Sequence, residues 1–172
     1  MKNLLKSVFL IWILTSFQQS AFGQNVETDP QSKSAIKELG FMVGNWEGKG
    51  WMIGADRNRH EFNQTEQIQF KIDSTALLIE GQGIANNIVV HNALAIVTFA
   101  GEENHYDFNS FLQNGRKGAF KGEIKDQVFY WYPSESMRYI IQINETGQWY
   151  EIGEINTGDS WFKFFEMTLD KK

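Results

Sequence analysis

The sequence predicts an all-β chain: about ten short antiparallel strands in an up-and-down meander, closed into a β-barrel and preceded by one short helix. Three observations carry this reading. After Gly44, alternating or β-rich runs recur to the end of the chain, each closed by a glycine, asparagine or aspartate cluster. The one stretch with apolar residues at helical spacing lies before that point. A sheet of about ten strands seldom stays open, because its twist curls it and its free edges invite pairing with other chains. A two-sheet sandwich is the alternative, since the two patterns look alike in sequence.

In chain order, Lys2 and Lys6 precede the apolar run Val8-Phe9-Leu10-Ile11-Trp12-Ile13-Leu14, and Ala21-Phe22-Gly23 offers small residues to a signal peptidase. The run falls well short of the ~20 residues that cross a bilayer. Residues 1–23 therefore read as a cleavable signal peptide, with the mature protein periplasmic or secreted and without a membrane span. Residues 24–38 are a polar lead-in and short helix, and residues 39–172 the barrel domain. Asp29-Pro30 suits a helix cap followed by proline in the first turn. Ile36 and Leu39 then mark one apolar side of a helix over about Ser32–Leu39, with Gly40 near its stop.

Strands follow near Trp46–Ile53, His60–Ile72, Ala76–Ile84, Val89–Phe99 and Tyr106–Leu112. Five more lie near Lys117–Ile124, Val128–Tyr132, Arg138–Ile143, Trp149–Ile155 and Ser160–Leu169. The intervening turns carry suitable chemistry, and Asn114-Gly115 is the strongest hairpin signal among them.

The 172 residues include no cysteine, which excludes disulfides, thiolate metal sites and a cysteine nucleophile. The formal charge is −5, and taking away Lys2 and Lys6 with no acid leaves −7. An acidic chain without a basic run argues against nucleic-acid binding, whose affinity rests on neutralising phosphates.

Gly44-Asn45-Trp46, just after the short helix, resembles the G-x-W signature of the calycin barrels: the lipocalins, fatty-acid-binding proteins and nitrobindin-like haem barrels. The wider opening Leu39-Gly40-Phe41-Met42-Val43-Gly44-Asn45-Trp46-Glu47-Gly48-Lys49-Gly50 resembles a family of bacterial lipocalin-like barrels of unknown function. The segments Leu78-Ile79-Glu80-Gly81, His91-Asn92-Ala93-Leu94, Trp149-Tyr150-Glu151-Ile152-Gly153-Glu154 and Trp161-Phe162-Lys163-Phe164-Phe165-Glu166-Met167 extend that resemblance. It implies a calycin-like barrel with an interior cavity, and it implies that Trp46 closes one end. It implies no particular chemistry. Nitrobindin-like barrels hold haem through a histidine on the last strand; Ser160 to Leu169 contains none, so no haem and no other cofactor is assigned.

Alternate strand residues point to opposite faces, so the apolar phase of each strand marks its buried side. That bookkeeping turns Phe62, Gln64, Glu66, Ile68 and Phe70 inward on the second strand, and Leu78, Glu80, Gln82 and Ile84 on the third. The fourth strand is ambiguous in phase; the fifth turns Tyr106, Phe108, Ser110 and Leu112 inward. Tyr150, Ile152 and Glu154 share the ninth strand's phase, and Phe162, Phe164, Glu166 and Thr168 the tenth's. Four glutamates, Glu66, Glu80, Glu154 and Glu166, thus fall among apolar neighbours. Unpaired in a dry core they are too costly, but a polar-lined lumen with His91, Tyr106 and Arg138 as partners accommodates them. The alternative is that one-residue bulges swap faces and leave an acid in solvent.

No H-E-x-x-H, G-x-S-x-G or phosphate-binding glycine loop is present. A histidine–carboxylate metal site from His91 with Glu66 or Glu80 is conceivable across neighbouring strands; a lone core histidine is more often simply hydrogen-bonded, so no metal site is assigned. The preferred expectation is an exported barrel holding an amphipathic or polar small molecule through Glu66, Glu80, His91, Tyr106, Arg138 and Glu154. Two others stand beside it: an isomerase- or hydrolase-type enzyme using lumen Glu and His as acid and base, and an interaction protein with a filled interior.

Overall fold

The computed structural model describes residues 27–172; the predicted signal segment lies outside them. Helix α1 (Pro30–Glu38) starts as expected: the Asp29 carboxylate accepts from the backbone N–H groups of Gln31 and Ser32, and Pro30 fills the first turn. It runs into a 3₁₀ turn, Leu39–Met42. Ala35, Ile36, Leu39 and Met42 are buried, so the helical segment spends its apolar side on the end of a barrel.

The barrel has ten antiparallel strands: β1 (Gly44–Ile53), β2 (Arg59–Lys71), β3 (Ala76–Ala85), β4 (Ile88–Ala100), β5 (His105–Leu112), β6 (Lys117–Lys125), β7 (Val128–Ser134), β8 (Met137–Ile143), β9 (Trp149–Asn156) and β10 (Trp161–Lys171). Each pairs with its neighbour in sequence, and β1 closes on β10 from Trp46 opposite Lys171 to Met52 opposite Phe165. Closure removes every sheet edge, so the barrel prevails over the sandwich. The Asn114-Gly115 turn is present, with Gly115 at φ +81°.

The two ends differ. Trp46, Ile68, Leu77, Val97, Phe129, Trp149 and Leu169 pack together beneath the helical segment with almost no exposure. The Tyr106 hydroxyl donates to the Ala35 carbonyl at 2.9 Å, and the Trp46 indole N–H donates to the Met42 carbonyl at 2.9 Å. The two bonds fix the plug to the wall. The opposite end, where the 54–58, 86–87 and 113–116 turns lie, is open.

The inward phase corrects the sequence reading on three strands. On β3, Leu77, Ile79, Gly81 and Gly83 are buried while Glu80 and Gln82 are exposed. Leu78 and Ile79 are both apolar, and the inward glycines carry no hydrophobic signal, so the pattern pointed the wrong way. On β9, Trp149, Glu151 and Gly153 face in, leaving Tyr150, Ile152 and Glu154 outside. On β10 a register shift between Lys163 and Phe165 turns Phe165, Met167 and Leu169 inward, and Glu166 outward.

Candidate functional site

The open half of the barrel encloses a cavity of about 480 Å³. That lies within the roughly 300–1,000 Å³ typical of small-molecule sites. One wall is aromatic. Trp131 of β7 stacks between Phe108 of β5, at 4.4 Å, and Tyr139 of β8, at 4.3 Å; Phe165 of β10 meets Tyr139 edge-on, and Phe62 of β2 stacks on Phe165. Ile79, Ala95, Ile141, Trp149 and Met167 line the cavity and also belong to the packed core.

Into this apolar lining project Gln64, Glu66 and Glu151, the three buried polar side chains of the described barrel. Gln64 and Glu66 sit side by side on the inward face of β2, two residues apart, and Gln64 Nε2 donates to Glu66 Oε1 at 2.7 Å. Glycines make room for both. Glu66 lies opposite Gly81 and Gln64 opposite Gly83 in the β2–β3 register. A Cβ on Gly81 would stand 2.5 Å from Glu66 Oε1, and one on Gly83 2.7 Å from Gln64 Oε1. Gly81 and Gly83 therefore leave the room that the Glu66 and Gln64 side chains occupy, and the β3–β4 register shifts just after Gly83. Glu151 enters from β9, its Oε2 accepting from the Trp149 indole N–H at 3.2 Å.

Burial dominates the titration of both acids, because a carboxylate stripped of water favours its protonated form. Glu66 is pushed up to about 7, against a smaller downward pull from the Gln64 hydrogen bond. Glu151 is pushed up to about 8 by burial and then by the charge of Glu66, again against the indole hydrogen bond. Tyr139 is raised by burial and by Glu151. Three buried polar atoms here have no partner: Gln64 Oε1, Glu66 Oε2 and Trp131 Nε1. Such atoms cost ~1–3 kcal/mol each when left unpaired, and their clustering around one cavity marks where a ligand or water is expected to bond.

The residues predicted for the site divide into three groups. Glu66 is in the lumen, and His91 of β4 stands at the mouth with Arg116 of the β5–β6 turn. His91 is exposed, but its surroundings desolvate the imidazole enough to hold it below its ordinary value. Tyr106 is inside the barrel but belongs to the plugged end; burial, then the charge of Glu38, pushes it up to about 12.

Glu80, Arg138 and Glu154 lie on the outer face. Glu80 is exposed. Arg138 donates through Nε to Glu154 Oε2 at 2.9 Å, with its guanidinium 4.0 Å above the Trp161 ring, so the two form a surface pair that never reaches the lumen. Glu166 is also outside. Partial burial pushes it up, but hydrogen bonds from Lys163, Tyr150 and Trp51 outweigh this and hold it below the usual carboxylate range. Trp46 stands at the plugged end, edge-on to Trp149 at 5.9 Å.

Sequence reasoning missed Glu151, Gln64 as a site residue in its own right, and the aromatic wall. A usable signal existed for the β2 pair: polar residues at alternate positions facing a Gly-x-Gly on the neighbouring strand.

No family model matches this sequence, and no curated protein is similar to it at the sequence level. Its fold is similar to that of the crystal structure of Rv2717c from M. tuberculosis, with a TM-score of 0.57 over 85% of this chain and 99% of that one. At 10% identity the likeness extends to the barrel and no further.

Proposed function

We propose that this protein is an exported barrel of calycin type that holds a small amphipathic molecule in its lumen. The observation that carries the reading is the cavity itself: open at one end, walled by aromatic rings, and holding Gln64 Oε1, Glu66 Oε2 and Trp131 Nε1 without partners. The filled-interior alternative requires a solid barrel, and about 480 Å³ of space weighs against it. Export is supported by Lys2, Lys6, the apolar run and Ala21-Phe22-Gly23. Native mass spectrometry of the protein purified from its own host tests the binding reading. A retained small molecule of reproducible mass, lost on denaturation, supports it. A spectrum of bare protein that also stays unchanged when amphipathic compounds are added contradicts it.

A second reading, acid–base catalysis, is favoured by one specific observation: Glu66 and Glu151 share the cavity, and burial pushes the two carboxyls up to about 7 and about 8. Turnover with a pH–rate profile governed by those two groups, and lost in both glutamine variants, is its mark.

A further inference from the structure

On the reading that the cavity binds a small molecule, its polar atoms narrow the chemical class of that ligand. The β2 and β9 side chains that line the lumen bring it carboxyl and amide oxygens, and the unpartnered Trp131 indole N–H in the aromatic wall is the donor facing them. Glu66 is 7% exposed and Gln64 2%; both line the cavity, and Oε2 of Glu66 and Oε1 of Gln64, which lie over Gly81 and Gly83, have no hydrogen-bond partner. Glu151, 8% exposed, adds a second carboxyl from the opposite side of β1 and β10. Among the described residues lining the cavity the lone permanent cation is Arg116, in the turn at the mouth. The other titratable side chains facing the space are Tyr139, in the aromatic wall, and His91, at the rim.

We propose that the lumen selects a ligand bearing a protonated amine on an apolar body, with the ammonium at the Glu66–Gln64 pair, whose unpartnered oxygens turn to meet it, and the body along the Phe108–Trp131–Tyr139 wall. An ammonium has three donors and no acceptor, so it can satisfy both oxygens at once. A carboxylate-headed ligand would place a third acid among two with no cation to receive it. The seat is specific to cations for an electrostatic reason as well. A buried carboxyl holding its proton ionises when a positive charge arrives beside it. The ligand's charge takes the place of that proton, which leaves to solvent. Binding therefore releases protons near neutral pH, up to one per ligand on the acid side of the Glu66 value.

The test uses the full chain and three compounds of one shape: 4-phenylbutylamine, 4-phenylbutan-1-ol and 4-phenylbutanoate, titrated calorimetrically near neutral pH in two buffers of different ionisation enthalpy. The expected order is amine tighter than alcohol by about tenfold or more, and alcohol tighter than carboxylate. That margin is what one charged hydrogen bond supplies. The amine's heat alone should shift between buffers, reporting proton release. Glu66→Gln, checked for folding by circular dichroism, should abolish the amine's advantage and leave alcohol affinity within about threefold. If the alcohol binds while the amine binds no tighter, or if the amine's advantage survives in Glu66→Gln, the amine assignment is overturned and the binding reading stands. If none of the three binds, both fall.

Discussion

The two halves of the barrel are built on the same ten strands with the same alternation, yet they have opposite interiors. At the helical end the inward positions are Trp46, Ile68, Leu77, Val97, Phe129, Trp149 and Leu169, with Tyr106 tied to the plug, and the space is filled. Two or four residues further along the same strands, inward positions become Gln64, Glu66, Gly81, Ala93, Ala95, Ser110 and Glu151, and the space opens. Stability and binding capacity are therefore separated along the barrel axis. The packed end supplies burial worth ~1.5–3 kcal/mol for each large side chain. The open end gives part of that up to hold polar groups in a hollow.

Substitutions should sharpen the contrast, and the largest effect belongs to the packed end. Phe129→Ala removes a ring with no exposure and should destabilise by ~3–5 kcal/mol in urea denaturation. Phe120→Ala, on the cavity wall, should cost clearly less, because one side of that ring already faces open space. Equal costs would erase the distinction between the ends.

Next is the pH response of the hollow. Glu66 and Glu151 have folded values above those of the unfolded chain, so the folded state binds more protons between the two values. Their contribution is most favourable below the ordinary carboxylate range and is lost as pH rises toward 7 for Glu66 and 8 for Glu151. Glu66→Gln should thus raise the melting temperature at about pH 9, by an amount equivalent to a few kcal/mol, and leave it nearly unchanged at about pH 4. A gain of equal size at both pH values would mean that the acid is not desolvated.

Gly81→Ala should follow at roughly 1–3 kcal/mol, since its Cβ would stand 2.5 Å from Glu66 Oε1 and force the carboxyl to move. Thermal melts of the single variant and of Gly81→Ala combined with Glu66→Ala check this, and the second change should relieve most of the cost. Arg138→Ala should have the smallest effect, up to about 1 kcal/mol with no change in lumen binding, because its pairing with Glu154 is on the outer face.

The strands were legible because turn chemistry is local: the ten expected segments overlap the ten observed ones, with ends displaced by one or two residues. Which face points inward was harder to read. On β2 the phase was clear, since Phe62, Ile68 and Phe70 alternate with polar residues. On β3 and β9 the inward positions include glycines, whose role is to admit a neighbour's side chain, and the outward ones include Leu78 and Ile152. Periodicity reads such strands backwards, and so Glu80 and Glu154 were expected in the lumen while Glu151 was overlooked. The bulge in β10 shifts Glu166 by a further rule that no single strand encodes.

Chemical-shift mapping during titration with 4-phenylbutan-1-ol tests the central claim, a ligand-accessible lumen in the open half, most directly. The Trp131 indole N–H, unpartnered in the cavity wall, should move with the amides of Gly81 and Glu66, while the Trp46 indole, bonded to Met42 at the plugged end, stays in place. Shifts confined to the outer face around Arg138 and Glu154, or to the Trp46 end, would contradict it.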